Sequence, residues 1–438
     1  MTRRFPKTRE TIIRPLSNLK DSSLLRNSGF IMSATVINAA LGFIFWAVIA
    51  HISHPHEVGL AASLIAAFTL VTLFANFGIA QLLIQVLPTL EGDEVWSAFA
   101  TVGVVLSSAF VMCVGIGAAL ILPLLSPNFS ELRQPDMLLL FALGAGLSTA
   151  AIATDAIYVS TRRSDQMLWR NTSFGVFKLL ILVGALAFVR WLSSGVILTS
   201  WVVGLAASLV FSTWVLLPRV RERFNLSFQG GARSVLRWWR PLVGHHLANV
   251  GSILVPFMLA VLVVIRLSAR STAFFYLTWN VGAIFFLVSP AVALSLFAEG
   301  SHGEDTHGNV KRSILFMAIV LTPAIVVTIL LSSRILLLFG RQYAENGSDL
   351  LVLLALAAIP DAITNIAVSV LRIRQKLHLA VILNLSMAAI AIGLSWVLLP
   401  HFGILAPGIA WITAQTAGSV AVGVEMLRTR RAGGLVTN

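Results

Sequence analysis

Twelve times along this chain an apolar run appears that is about as long as a bilayer is thick. The runs fall near 28–50, 60–87, 97–122, 137–160, 171–190 and 196–218, then near 242–265, 272–298, 313–339, 349–371, 377–399 and 403–427. About 20 apolar residues in a helix cross a ~30 Å hydrocarbon core, and backbone in lipid must satisfy its hydrogen bonds internally. The expected fold class is therefore an all-α polytopic membrane protein of about 12 transmembrane helices. A hydrophobic content of 57% with only 11% charge lies far outside soluble norms and agrees.

The net charge of +13 would suit a nucleic-acid partner, but the bases sit in short runs between the apolar segments, as topology signals do. With the N-terminus inside, the connections on one face hold 24 of the 31 Lys and Arg and those on the other hold six, with Lys178 left inside a span. Both termini are expected in the cytoplasm of a multi-pass plasma-membrane protein. The first run, from Asn27 to Ala50, is longer than the apolar core of a signal peptide, so it reads as a retained span. The lone Cys113 leaves no intramolecular disulfide and no cysteine metal site.

The longest internal connection, Arg219 to Arg240, carries a Gly-Gly linker and divides the spans six and six. The expected organisation is a basic tail at 1–26, an N-lobe at 27–218, a linker at 219–240, a C-lobe at 241–427 and a basic tail at 428–438. Trp238 and Trp239 between Arg237 and Arg240 have the composition of an interfacial anchor. Lobes of six spans share one orientation, so a repeat between them is parallel. Sliding the chain by 214 residues aligns Gly42 with Pro256, and sliding it by 206 aligns Asp155-Ala156-Ile157 with Asp361-Ala362-Ile363.

Ionisable groups inside membrane segments are costly and point to function. Asp155 lies seven residues before Arg162, and Lys178 seven residues after Asn171, where the fifth run begins. Each is then ~10 Å below the same surface, and the two are expected to meet as a pair near the cytoplasmic side. That pair either locks two spans together or serves the entry side of a polar cavity. Asn38 and Gln81 are candidate cavity residues, Asp361 joins them through its match to Asp155, and Gly42 and Pro256 are candidate hinges in spans 1 and 7. Pro290 and Pro323 are further kink candidates, and His245 and His246 read as interfacial.

No catalytic constellation, nucleotide-binding loop or metal cluster stands out, and no external connection is long enough for a folded domain. No catalytic residue, metal or cofactor is expected.

The stretch RNSGFIMSATVINAALGFIFWAVIAHISHPHEVGLAASLIAAFTLVTLFANFGIAQLLIQVLP resembles the opening spans of polysaccharide exporters, oligosaccharide-lipid flippases of the multidrug/oligosaccharidyl-lipid/polysaccharide superfamily. The Glu57-Val58-Gly59 turn, the Asn76-Phe77-Gly78 step and the hairpin from Asp155 through Arg162-Arg163 to Arg170-Asn171 and Lys178 carry it. The resemblance implies two six-helix lobes of the multidrug-exporter type around a central cavity that opens alternately to each side. It implies flipping of an undecaprenyl-diphosphate-linked oligosaccharide to the outer leaflet of a bacterial inner membrane, for lipopolysaccharide or other cell-surface glycan. Partners would be the lipid-linked substrate, membrane lipids, and glycosyltransferases or a polymerase of the same pathway. Lipid II flippases of this superfamily typically have fourteen spans and several cavity arginines, whereas twelve are counted here and only Lys178 lies deep. The alternatives are a cation-coupled multidrug exporter of the same fold and a membrane-embedded glycan-assembly enzyme.

Overall fold

The computed structural model describes residues 23–189, 191–228, 254–301 and 306–433, and within these all regular structure is helical. In the first half the helices are α1 (Ser23–Ile52), α2 (Pro55–Ala75), α3 (Ile79–Val86), α4 (Asp93–Leu125), α5 (Pro135–Ser160), α6 (Ser164–Ala185) and α7. The last runs from Ser194 to Phe211 and on through a π turn at Ser212–Leu216 to Val220. The second half has α8 (Leu254–Arg266), α9 (Ala269–Gly282), α10 (Phe285–Ser301), α11 (Thr306–Leu336), α12 (Arg341–Ile373), α13 (Leu377–Phe402) and α14 (Leu405–Gly433).

Among the described residues eight helices are long and apolar enough to cross a membrane, and α9 with α10 makes a ninth span bent by 40°. The other expected spans correspond to α6, α8 and α14. Arg170 and Lys178 lower the hydropathy of α6, and the N-terminal part of the expected span at α8 lies outside the described residues.

Two expected spans are not continuous. The run 60–87 breaks after Ala75, where Phe77 (φ 47°) and Gly78 (φ 73°) both turn left-handed and the Asn76 side chain accepts from the Gly78 amide at 2.9 Å. Hydropathy could not register that break, because α3 is as apolar as α2; the Asn-Phe-Gly triplet was the local signal. The run 272–298 bends between Gly282 and Phe285. By contrast α1 passes through Gly42 without interruption. Pro256 lies within the described part of α8, while Trp238, Trp239, His245 and His246 lie outside the described residues.

The halves repeat one another in detail. The starts of α2 and α9 are 214 residues apart, and those of α6 and α13 are 213 apart. The turns before α6 and α13 match torsion for torsion. Thr161 (−92°, 4°) corresponds to Arg374 (−77°, 5°), Arg162 (φ 58°) to Gln375 (φ 61°), and Arg163 (−112°, 50°) to Lys376 (−94°, 50°). Both close with the same six-residue helix-ending bond, Arg163 N to Tyr158 O at 2.9 Å and Lys376 N to Leu371 O at 2.8 Å. The offset of 214 expected for the first spans therefore holds. The offset of 206 does not: at 213 Asp155 falls on Val368, so Asp155 and Asp361 are not equivalent positions.

Within the first half α2 is central, against α4, α5 and α7; within the second, α12 packs on α9, α10, α11, α13 and α14. The halves join through α2 and α9. A Cβ on Gly59 would land on the Ala269 carbonyl and crowd the Ala273 amide at 2.7 Å, so glycine is what lets the backbones touch.

Candidate functional site

Among the described residues the contacts between halves cluster at one end of the molecule, the end carrying Glu57, Ser194 and Ala269. Besides Gly59 on Ala269, the Asn128 side chain donates to Val264 O at 2.8 Å, Trp46 meets Tyr276 edge-on at 5.1 Å, and Phe43 meets Phe339 at 5.0 Å. A short polar chain stiffens this end. The Glu57 carboxylate accepts from the Ser194 amide at 2.7 Å, and the Ser194 hydroxyl donates to Glu131 at 2.8 Å. A carboxylate in the first turn of α2 and an acceptor for the first amide of α7 both suit the positive ends of those helices.

At the opposite end lies the α5–α6 hairpin. The Asp155 carboxylate is held by Arg170 as a two-pronged fork, Nε to Oδ1 at 2.9 Å and Nη2 to Oδ2, and the Asn171 side chain donates to Oδ2 at 3.1 Å. Asp155 therefore does not pair with Lys178, contrary to expectation. The reason is a helix boundary. α6 starts at Ser164, not at Asn171 where the apolar run starts, so Arg170 is the residue facing Asp155 across the hairpin. Lys178 lies eight residues further along, ~12 Å deeper. In the turn itself Asp165 is partly buried, which raises its pKa, but the bonds from Arg163 at 3.1 and 3.2 Å outweigh this and hold the carboxyl below its usual range.

Lys178 is 1% exposed, and its ammonium lies 4.3 Å from the Trp201 ring centre, 4.7 Å from Phe174 and 4.9 Å from Phe45. Among the described residues no carboxylate stands at ion-pair distance. Three ring faces supply instead the electrostatic partner that a buried cation needs. Close packing fixes the geometry: a Cβ on Gly204 of α7 would be 2.8 Å from the Lys178 backbone, and Gly175 is covered by Leu41 of α1. The rings continue outward, Phe45 to Trp46 at 5.5 Å and Trp46 to Tyr276 of the second half at 5.1 Å. The lysine cage and the joint between halves are thus one packed aromatic cluster.

The remaining expected site residues are dispersed. Asn38 and Gln81 are half-buried on α1 and α3 and make no hydrogen bond to another described side chain or backbone group. Asp361 is 5% exposed on α12, beside a polar group in which Thr364 donates to Gln415 at 2.8 Å and Asn365 to the Asp361 carbonyl at 2.9 Å. Its Oδ2 and the nearby Ser289 hydroxyl both lack a partner at hydrogen-bond geometry among the described residues. The structure brings Asp155 together with neither Lys178 nor Asp361. Sequence reasoning passed over the cage rings Phe45, Phe174 and Trp201, and it named Arg170 and Gly59 as parts of motifs without giving them these contacts. The signal for Phe174 was its spacing of one turn from Lys178.

Two parallel helical halves, packed on one another at Gly59 and Ala269 and carrying the buried cations Arg170 and Lys178, define a multi-pass helical membrane protein. Among solved structures the chain is similar to "Lipid II flippase MurJ, inward closed conformation" (TM-score 0.71, 14% identity, 91% of this chain and 87% of that one). It is also similar to "Inward-facing conformation of a multidrug resistance MATE family transporter of the MOP superfamily" (TM-score 0.58, 14% identity, 90% and 99%) and to "Crystal structure of MATE in the straight conformation" (TM-score 0.57, 13% identity, 95% and 97%). The sequence profile described as "Polysaccharide biosynthesis protein" matches residues 24–255, and the chain belongs to that family. No curated protein sequence matches it.

Proposed function

We propose that this protein flips a lipid-linked oligosaccharide, with undecaprenyl diphosphate as the carrier, from the cytoplasmic to the outer leaflet of a bacterial inner membrane by alternating access. The observation that carries this reading is that, among the described residues, the contacts between halves cluster at the Glu57–Ala269 end, in a chain of a polysaccharide biosynthesis family: halves tied at one surface can part at the other. The bias of Lys and Arg to the connections of the Arg162 end supports a cytoplasmic position for that end. A headgroup entering there would meet the Arg162–Arg163 turn first, and the aromatic cluster around Lys178 lies between that entrance and the joint. Parting of the halves would uncover these rings for a sugar to stack on and the Lys178 ammonium for a diphosphate.

Reconstitution with a fluorescent lipid-linked oligosaccharide is the direct test. Protein-dependent transfer of label between leaflets is expected, and a distribution equal to that of empty vesicles overturns the proposal. The similarity to multidrug transporters and the buried Asp361 carboxylate favour a second reading, cation-coupled drug export. It requires dye extrusion from the same vesicles under a Na⁺ or H⁺ gradient, which the flippase reading does not.

A further inference from the structure

The repeat allows one half to be read against the other, and one difference between them opens space in the second half. In the first half the space between α5, α6 and α7 toward the Arg162 end is filled. Phe177 packs on Phe211 with ring centres 6.5 Å apart, and the Tyr158 hydroxyl bonds Ser212 in the π turn. The positions corresponding to Phe177 and Tyr158 at the offset of 213 are Ile390 and Leu371. That corresponding to Phe211, at the offset of 211 between the starts of α7 and α14, is Val422. The smaller side chains leave a groove of ≈ 420 Å³ between α12, α13 and α14, with Leu371, Leu383, Met387, Ile390 and Val422 among its walls.

Basic residues sit at its mouth. Arg374 and Lys376 line the groove, and Arg372 is next to them on the same turn. All three are exposed, and none has a carboxylate at ion-pair distance among the described residues. From Lys376 to Ile390 the groove follows α13 for ~21 Å, somewhat more than the ~15 Å depth of one leaflet. An apolar slot one leaflet deep, with exposed basic side chains at the headgroup level, is complementary to a lipid that has a short chain and a negative phosphate. An eleven-isoprene carrier chain is too long to be held along this slot.

We propose that this groove binds an anionic glycerophospholipid of the surrounding leaflet, with an acyl chain along Leu383, Met387 and Ile390 and the phosphate on Arg374 and Lys376. Such a site is independent of transport, so its test reads binding alone. The full-length protein in detergent is titrated with phosphatidylglycerol or phosphatidylcholine while its unfolding temperature is followed, and native mass spectrometry records retained lipid. Phosphatidylglycerol is expected to stabilise and to be retained, and phosphatidylcholine is not. R374A/K376A should weaken the half-saturating concentration roughly thirtyfold, the scale of two bases at an anionic surface. I390F/V422F, which restores the ring pair of the first half, should abolish the lipid effect while the lipid-free protein unfolds at or above the wild-type temperature. Equal stabilisation by both lipids, an unchanged R374A/K376A titration, or retention of polyprenyl phosphate in place of phosphatidylglycerol would overturn the proposal.

Discussion

Arg170 and Lys178 are two buried cations on one helix with opposite dependence on their surroundings. Arg170, 4% exposed, has a carboxylate in its fork, and removing it strands Asp155 in the membrane; Arg170→Ala is expected to cost ~3–5 kcal/mol, as breaking buried pairs does. Lys178 has rings for partners, so Lys178→Met keeps the cage filled and is expected to leave thermal unfolding in detergent near wild type. If the flippase reading holds, the same variant loses transfer of lipid-linked sugar, because the charge and not the packing is what the substrate meets. A Lys178→Met protein that unfolds early would reassign the lysine to structure. Both charges stood out in the sequence as intramembrane ionisable residues, and their depth was legible only to within a helix turn or two. Counting from the apolar run at Asn171 put Lys178 opposite Asp155. The helix already begins in the polar turn at Ser164, and only the fold displays that boundary.

Close approach between elements was the feature least legible from hydropathy, since glycine scores the same in a helix that touches its neighbour and in one that does not. Gly59 and Gly204 each admit a backbone, whereas Gly42 and Gly184 have nothing within 4 Å of where a Cβ would stand. Gly59→Leu should therefore prise α2 from α9, while Gly42→Leu should be tolerated. Paired cysteines replacing Asn128 and Val264 report the outcome: disulfide formation is expected in the parent and in Gly42→Leu, and loss of it in Gly59→Leu. Equal cross-linking in all three would mean that the Gly59 contact does not hold the halves together.

Across the whole molecule the class of fold and the parallel duplication were readable from the spacing of apolar runs and from the offset of 214, whereas the breaks at Asn76–Gly78 and Gly282–Phe285 were not. The orientation proposed from the distribution of bases is tested by impermeant thiol labelling of intact cells. A cysteine replacing Arg162 or Gln375 is expected to be protected and one replacing Ser193 labelled; the reverse pattern inverts the molecule. The contact of Gly59 on Ala269 has a mechanical consequence. Gly59 is near one end of α2, and the remaining helix to Ala75 is a lever arm of ~24 Å. Rotating each half by ~15° about that point carries the far ends ~12 Å apart, while the backbones at the pivot slide by less than ~1 Å. A fulcrum so close to one surface turns small, cheap adjustments among packed side chains into a wide displacement at the other.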